Sequence, residues 1–261
     1  MKKQTLTEPA HLAADLKELK LPSVLSHWAR LSEEALRKRQ PPQEYLADLM
    51  HVEVNDRRER RIERLIREAH FPVLKTLDAF DFAAQASLDR ETVLELADAR
   101  FLAEHHNVVL IGEVGTGKTH LAIALGLSAC QREHRVRFFT AAELANALVE
   151  AKEQKKLARK LEQLARYELI VLDELGYVPF DKLGADLLFS FVSRVYERRS
   201  LIVTTNLPFA RWSEVFLDAT AAAAVIDRVV HHATILKTEG ESYRLKDAKR
   251  RAPRKNRAAA S

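Results

Sequence analysis

Two periodicities divide this chain. Through residues 1–70 the apolar positions recur at helical spacing: Leu16, Leu19, Leu21 and Leu25 open the pattern, and Trp28 and Leu31 continue it. Pro22 starts or bends a helix, Pro41-Pro42 breaks the chain, and 43–68 predicts a second long helix that ends at Phe71-Pro72. A linker containing Phe80 and Phe82 follows. From residue 90 short β-branched runs alternate with amphipathic stretches. The runs are 108–111, 136–139, 169–172, 201–205 and 234–236, and helices are expected at 120–131, 142–167 and 186–198. Leu157, Leu161 and Leu164 lie on one helical face, as do Leu188, Val192 and Val195. Strands that are apolar on both faces belong to a parallel sheet covered by its crossover helices. The expectation is a helical segment over 1–75, an α/β domain of about five parallel strands over 76–245, and a tail over 246–261.

Charge changes the picture only once it is located. Of the net +5, residues 246–261 carry seven Lys or Arg against one acid, while the rest of the chain is balanced. Such a basic arm suits a polyanion such as nucleic acid, or serves solubility. No run approaches the roughly 20 apolar residues of a membrane span. Cys130 is the one cysteine, which excludes an intramolecular disulfide and argues against a thiolate metal site. A cytoplasmic setting is expected. The pairs His105-His106 and His231-His232 are read as structural, because neighbouring histidines point in different directions.

The candidate chemistry begins at Gly112-Glu113-Val114-Gly115-Thr116-Gly117-Lys118-Thr119, which fits the eight-residue phosphate-loop pattern and lies between a strand and a helix opened by His120. Glycines let backbone N–H groups converge on phosphate oxygens, and the helix N-terminus adds its dipole. Lys118 is expected at the β- and γ-phosphates, and the Thr119 hydroxyl at Mg²⁺. The second half of such a site is an acid ending another buried strand. Leu169-Ile170-Val171-Leu172-Asp173-Glu174 supplies it, with Asp173 for Mg²⁺ through water and Glu174 to orient or deprotonate an attacking water. Leu201-Ile202-Val203-Thr204-Thr205-Asn206 ends on the same edge, where Asn206 could contact the γ-phosphate or the lytic water.

Together these segments resemble an AAA+ ATPase, with Walker A at 112–119, Walker B at 169–174 and a sensor at 204–206. Lys118-Thr119-His120-Leu121-Ala122, Asp173-Glu174-Leu175-Gly176-Tyr177, Thr205-Asn206-Leu207-Pro208-Phe209 with Trp212, Ile226-Asp227-Arg228, His231-His232 and Gly240-Glu241-Ser242-Tyr243-Arg244 are similar to the IstB-like family. These are ATP-dependent helpers of insertion-sequence transposases, related to bacterial helicase loaders and the replication initiator. The resemblance covers roughly residues 10–245. It implies ATP and Mg²⁺ as cofactors, hydrolysis of ATP, and a homo-oligomer in which Arg228 is an arginine finger for the neighbouring site. It places Phe80 and Phe82 beside the adenine. The chain after 236 is too short for a full helical lid, leaving Arg244 as the one candidate for the lid arginine.

The resemblance also implies binding to duplex DNA with little base readout, and a cognate transposase as partner. Three basic groups are candidates: Lys249, Arg250 and Arg251 in the tail; Arg57, Arg61 and Arg64 on one face of the N-terminal helix; and Lys152, Lys155, Lys156 and Arg159 between the Walker motifs. Glu59, Glu63 and Glu68 among the N-terminal arginines suit a salt-bridged helix equally well. A helicase loader is the alternative function. A small-molecule kinase fits less well, since Glu174 and Asn206 suit attack by water.

Overall fold

The chain's first helices are joined by side chains that cap one another. Pro22 occupies the first position of a 17-residue helix, where its missing N–H costs nothing. Two of that helix's free N–H groups, on Ser23 and Val24, donate to the Glu53 carboxylate at 2.9 and 3.1 Å. Glu53 comes from another helix and is 3% exposed. Burial opposes the carboxylate's ionisation, but the Arg57 guanidinium at 2.6 Å and the two backbone donors outweigh it, and its pKa falls below the usual range. The helices are α1 (Leu12–Glu18), α2 (Pro22–Lys38) and α3 (Pro42–Ala69). Leu16, Val24 and Leu49 form their small core, flanked by Trp28 and Tyr45.

The computed structural model describes residues 11–85, 87–177, 179–240 and 242–243. The chain separates into two units, Met1–Arg64 and Leu65–Ser261. Leu65 and Ala69, in the last turns of α3, are buried in the core of the second unit.

That second unit is built on five parallel strands: β1 (Asn107–Gly112), β2 (Val136–Thr140), β3 (Leu169–Leu175), β4 (Ser200–Thr205) and β5 (Ala233–Thr238). Their order is β2-β3-β4-β1-β5. Alternate residues feed opposite faces, as the pleat requires. Val108, Leu110, Leu169, Val171 and Ile202 belong to one core, and Val109, Ile170, Leu172, Leu201 and Val203 to the other. Helix α4 (Arg90–Ala97) and α5 (Lys118–Gln131) contribute to the first core. The second is closed by α6 (Ala141–Glu153), α7 (Leu157–Leu164), α8 (Lys182–Val195), the short α9 (Ser213–Phe216) and α10 (Ala219–Val230). The strands therefore end on a common edge, and β1 lies between two strands that do not follow it in sequence. Open sheets hold ligands at such a switch point.

The expected five strands are present, with ends shifted by up to three residues, the largest shift being at the end of β3. The single helix expected over 142–167 is two, α6 and α7, because Lys155 takes a left-handed conformation (φ 56°) between them. The break lets Leu157, Leu161 and Leu164 turn back onto the core. Helix α8 starts four residues earlier than expected, where the Asp181 side chain accepts from Gly184 N at 2.7 Å. Among the described residues no helix is long and apolar enough to cross a membrane.

Candidate nucleotide site

Strand β1 ends in the glycine-rich loop, and α5 begins directly after it. Gly115 and Gly117 adopt φ of 83° and 95°, in the left-handed region that favours glycine. A Cβ on Gly117 would also lie 2.8 Å from the Phe80 ring, and one on Gly112 would lie 2.0 Å from Thr238 O. The loop is braced by Thr116, whose hydroxyl meets Glu113 O and the Thr238 hydroxyl, both at 2.7 Å. Lys118 Nζ donates to Gly112 O at 2.8 Å and Glu113 O at 2.6 Å, so the ammonium lies along the loop. Glu113 and Val114 are exposed at its tip. His120 bonds Thr76 O through Nε2 at 2.8 Å, tying the linker to the first turn of α5.

Asp173 is the centre of the neighbouring acidic half. The residue is 3% exposed, and its Oδ1 accepts from the Thr119 hydroxyl at 3.0 Å and the Thr204 hydroxyl at 2.5 Å. The Thr204 hydroxyl in turn accepts from Glu174 N at 2.9 Å. Between Leu172 and Leu175 the pairing of β3 with β4 slips, so that β3 carries an extra residue. Glu174 absorbs the slip with φ of 60°, and its side chain is exposed. A bulge that re-aims one side chain is a recurrent device at active sites. Asn206 lies just past β4, half-buried. Thr119 Oγ1 and Asp173 Oδ1, side by side at the loop, are hard oxygen donors of the type that hold Mg²⁺.

Beside the loop opens a cavity of about 280 Å³. Residues Gly115–Thr119 form one wall; Val73, Phe80, Gln85, Ile123 and Tyr243 are among the others. Phe80 is held edge-on against Phe82 (4.9 Å) and His120 (5.2 Å). Phe80 lines the cavity, whereas Phe82 supports it from behind, under the Arg90 guanidinium. Ser242 and Tyr243 cross the loop, where Tyr243 N donates to Gly115 O at 2.9 Å and a Cβ on Gly115 would strike Ser242.

Residues 14–252 match the family described as IstB-like ATP binding protein. The chain belongs to that family. It is 42% identical over 235 residues to a Pseudomonas aeruginosa chain named as an insertion sequence IS21 ATP-binding protein, covering 90% of this chain and 89% of that one. A Bacillus thuringiensis subsp. berliner relative named for insertion sequence IS232 is 36% identical over 236 residues, with 90% and 94% covered. The structure of AMPPCP-bound DnaA from Aquifex aeolicus shares the fold, with a TM-score of 0.53 and 23% identity over 67% of this chain and 53% of that one. The IstB-like chain is thus an ATP-binding protein of AAA+ fold.

The remaining predicted residues of this IstB-like chain are scattered. Arg228 lies on α10, its guanidinium 5.1 Å above the Phe189 ring and bonded to Ala224 O at 2.8 Å. Its backbone is near Asn107, at the opposite end of β1 from the phosphate loop. Lys152, Lys155, Lys156 and Arg159 are exposed around the α6–α7 turn. Arg57 is engaged with Glu53 and Lys20 O, and Arg61 and Arg64 are exposed. Lys249, Arg250, Arg251 and Arg244 lie outside the described residues. His106 and His232 stack at 5.4 Å, and Glu197, His231 and His232 form an exposed cluster.

Two residues with defined work were missed. Thr204, within the segment read as a sensor, also holds Asp173 through its hydroxyl. Buried Asn107 joins three elements: its Oδ1 accepts from Leu201 N at 2.8 Å and its Nδ2 donates to Val229 O at 3.0 Å. A polar residue opening an otherwise apolar strand was the available signal.

Proposed function

We propose that this chain hydrolyses ATP within an oligomer assembled on duplex DNA, that the oligomer recruits or activates a cognate transposase, and that hydrolysis drives its release. The observation that carries the shared-site reading is the position of Arg228, at the far end of β1 from its own loop. A six-residue strand spans about 20 Å, too far for one side chain to bridge. The finger therefore serves a neighbour. Within one chain, the loop amides and Lys118 bind the phosphates, Thr119 and Asp173 hold Mg²⁺, and Glu174 orients the attacking water with Asn206. The metal, when bound, neutralises charge on the phosphates. The insertion-sequence relatives support the transposition setting, and the exposed Lys152, Lys155, Lys156 and Arg159 around the α6–α7 turn supply sequence-independent phosphate contacts.

The decisive test mixes two inactive variants. Arg228→Ala lacks the finger and Lys118→Ala lacks the phosphate grip, so each alone should lose turnover by about 10³-fold. Mixed, they should regain part of the activity, because some interfaces pair an intact loop with an intact finger. No recovery at any ratio would refute the shared site. Electron microscopy with ATP and duplex DNA tests the assembly. Preference for single strands or for a replicative helicase would favour the loader reading instead.

A further inference from the structure

The cavity beside the loop is walled by the phosphate loop and by the linker before β1, and one buried side chain of that linker has an oxygen without a hydrogen bond. Gln85 follows the short turn Phe82–Ala84, whose geometry is fixed by Asp81 accepting from Ala84 N at 3.2 Å. It is 4% exposed and forms part of the cavity wall. Its Oε1 is buried and makes no hydrogen bond. Of the three such buried atoms among the described residues, the other two, Ser193 Oγ and Ser200 Oγ, do not line the cavity. A buried acceptor left unpaired destabilises the protein, and such groups often mark a function.

We propose that Gln85 selects adenine, its Oε1 accepting a hydrogen bond from the exocyclic amino group of the base. The inference rests on the ATP-binding assignment above and names the residue that makes it specific. With the phosphates on Gly115–Thr119, the base falls at the end formed by Phe80, Gln85, Ile123 and Tyr243. Phe80 cannot recede, since Phe82 and His120 pack against its ring and it fills the space over Gly117. The terminal torsion of a glutamine is soft, so the carboxamide turns to the base edge at little cost. A glutamine amide pairs naturally with adenine's amino group. Guanine carries an oxygen at that place and so offers Oε1 no donor.

The test uses the full chain and displacement of a ribose-labelled fluorescent ATP. The competitors are ATP, purine riboside triphosphate (which lacks the amino group), GTP and inorganic tripolyphosphate. The wild type should bind ATP about tenfold tighter than purine riboside triphosphate, the scale of one neutral hydrogen bond, and GTP more weakly still. In Gln85→Leu the ratio of ATP to purine riboside triphosphate should fall to about one, with tripolyphosphate affinity unchanged. Its unfolding temperature without nucleotide should not fall, because an unpaired acceptor has been removed. Equal wild-type affinity for ATP and purine riboside triphosphate would overturn the proposal without any variant. So would wild-type discrimination retained in Gln85→Leu. Failure of tripolyphosphate to compete in the wild type would instead refute the phosphate-loop reading.

Discussion

Thr204→Val removes one hydroxyl from the middle of the site and little else. The side chain keeps its shape, and the residue is 1% exposed, so water cannot replace what is lost. Two hydrogen bonds go: one to the Asp173 carboxylate at 2.5 Å and one from Glu174 N at 2.9 Å. A bond to a charged group is worth about 1.5–3 kcal/mol and a neutral one about 0.5–1.5 kcal/mol. The variant should therefore lose roughly 2–4 kcal/mol of stability, read from urea unfolding at pH 7. Asp173 would keep Thr119 as its partner but lose the bond that orients it, and the bulge presenting Glu174 would lose its anchor. Losses in such supporting contacts cost about 10–100-fold in activity. Turnover should fall by that factor while ATP affinity, set mainly by the loop, changes less than about threefold. Thr204→Ser should recover most of both. Stability within about 0.5 kcal/mol of wild type together with normal turnover would refute the account.

Glu174 holds a left-handed conformation that costs a non-glycine residue about 1–2 kcal/mol. Glu174→Gly should thus melt no lower than wild type by calorimetry and yet lose hydrolysis; a stable variant with normal turnover would remove Glu174 from catalysis. Burial pushes the Cys130 thiol up to about 12, against about 8.5 in an unfolded chain. Its contribution to stability is therefore complete below about pH 8.5 and lost as pH rises through 12. At pH 8 iodoacetamide should label Cys130 far more slowly in native than in urea-unfolded protein, and equal rates would contradict the burial. The Glu53 carboxylate, with its depressed pKa, stabilises the fold above the ordinary carboxylate range and ceases to as pH falls through its own pKa. Hydrogen-exchange protection of the Ser23 and Val24 amides, relative to their intrinsic rates, should fall on acidification, and at pH 7 in Glu53→Ala. Unchanged protection would mean that other groups hold the start of α2.

Much of the site was legible because its signals are local. A glycine loop between an apolar strand and a helix specifies its own backbone geometry, and four apolar residues before Asp173 place that acid at a strand end. Arg57 shows where local reading falls short. Its spacing with Arg61 and Arg64 says nothing of its bond to Glu53, a partner whose value comes from capping a different helix. The continuous helix expected over 142–167 failed for a related reason. Its residues all favour helix, and only the packing of Leu161 and Leu164 against the sheet demands a break at Lys155.

By itself the sequence determined the five-strand parallel sheet, the phosphate loop and the two acids, since each follows from periodicity or spacing within a dozen residues. Tertiary structure decided which groups meet. The slip between β3 and β4 brings Thr204 to Asp173 and turns Glu174 outward. Gln85 enters the cavity wall because a linker remote in sequence from Ile123 packs beside it. Such pairings depend on strand register and on contacts between distant segments, which no window along the chain contains.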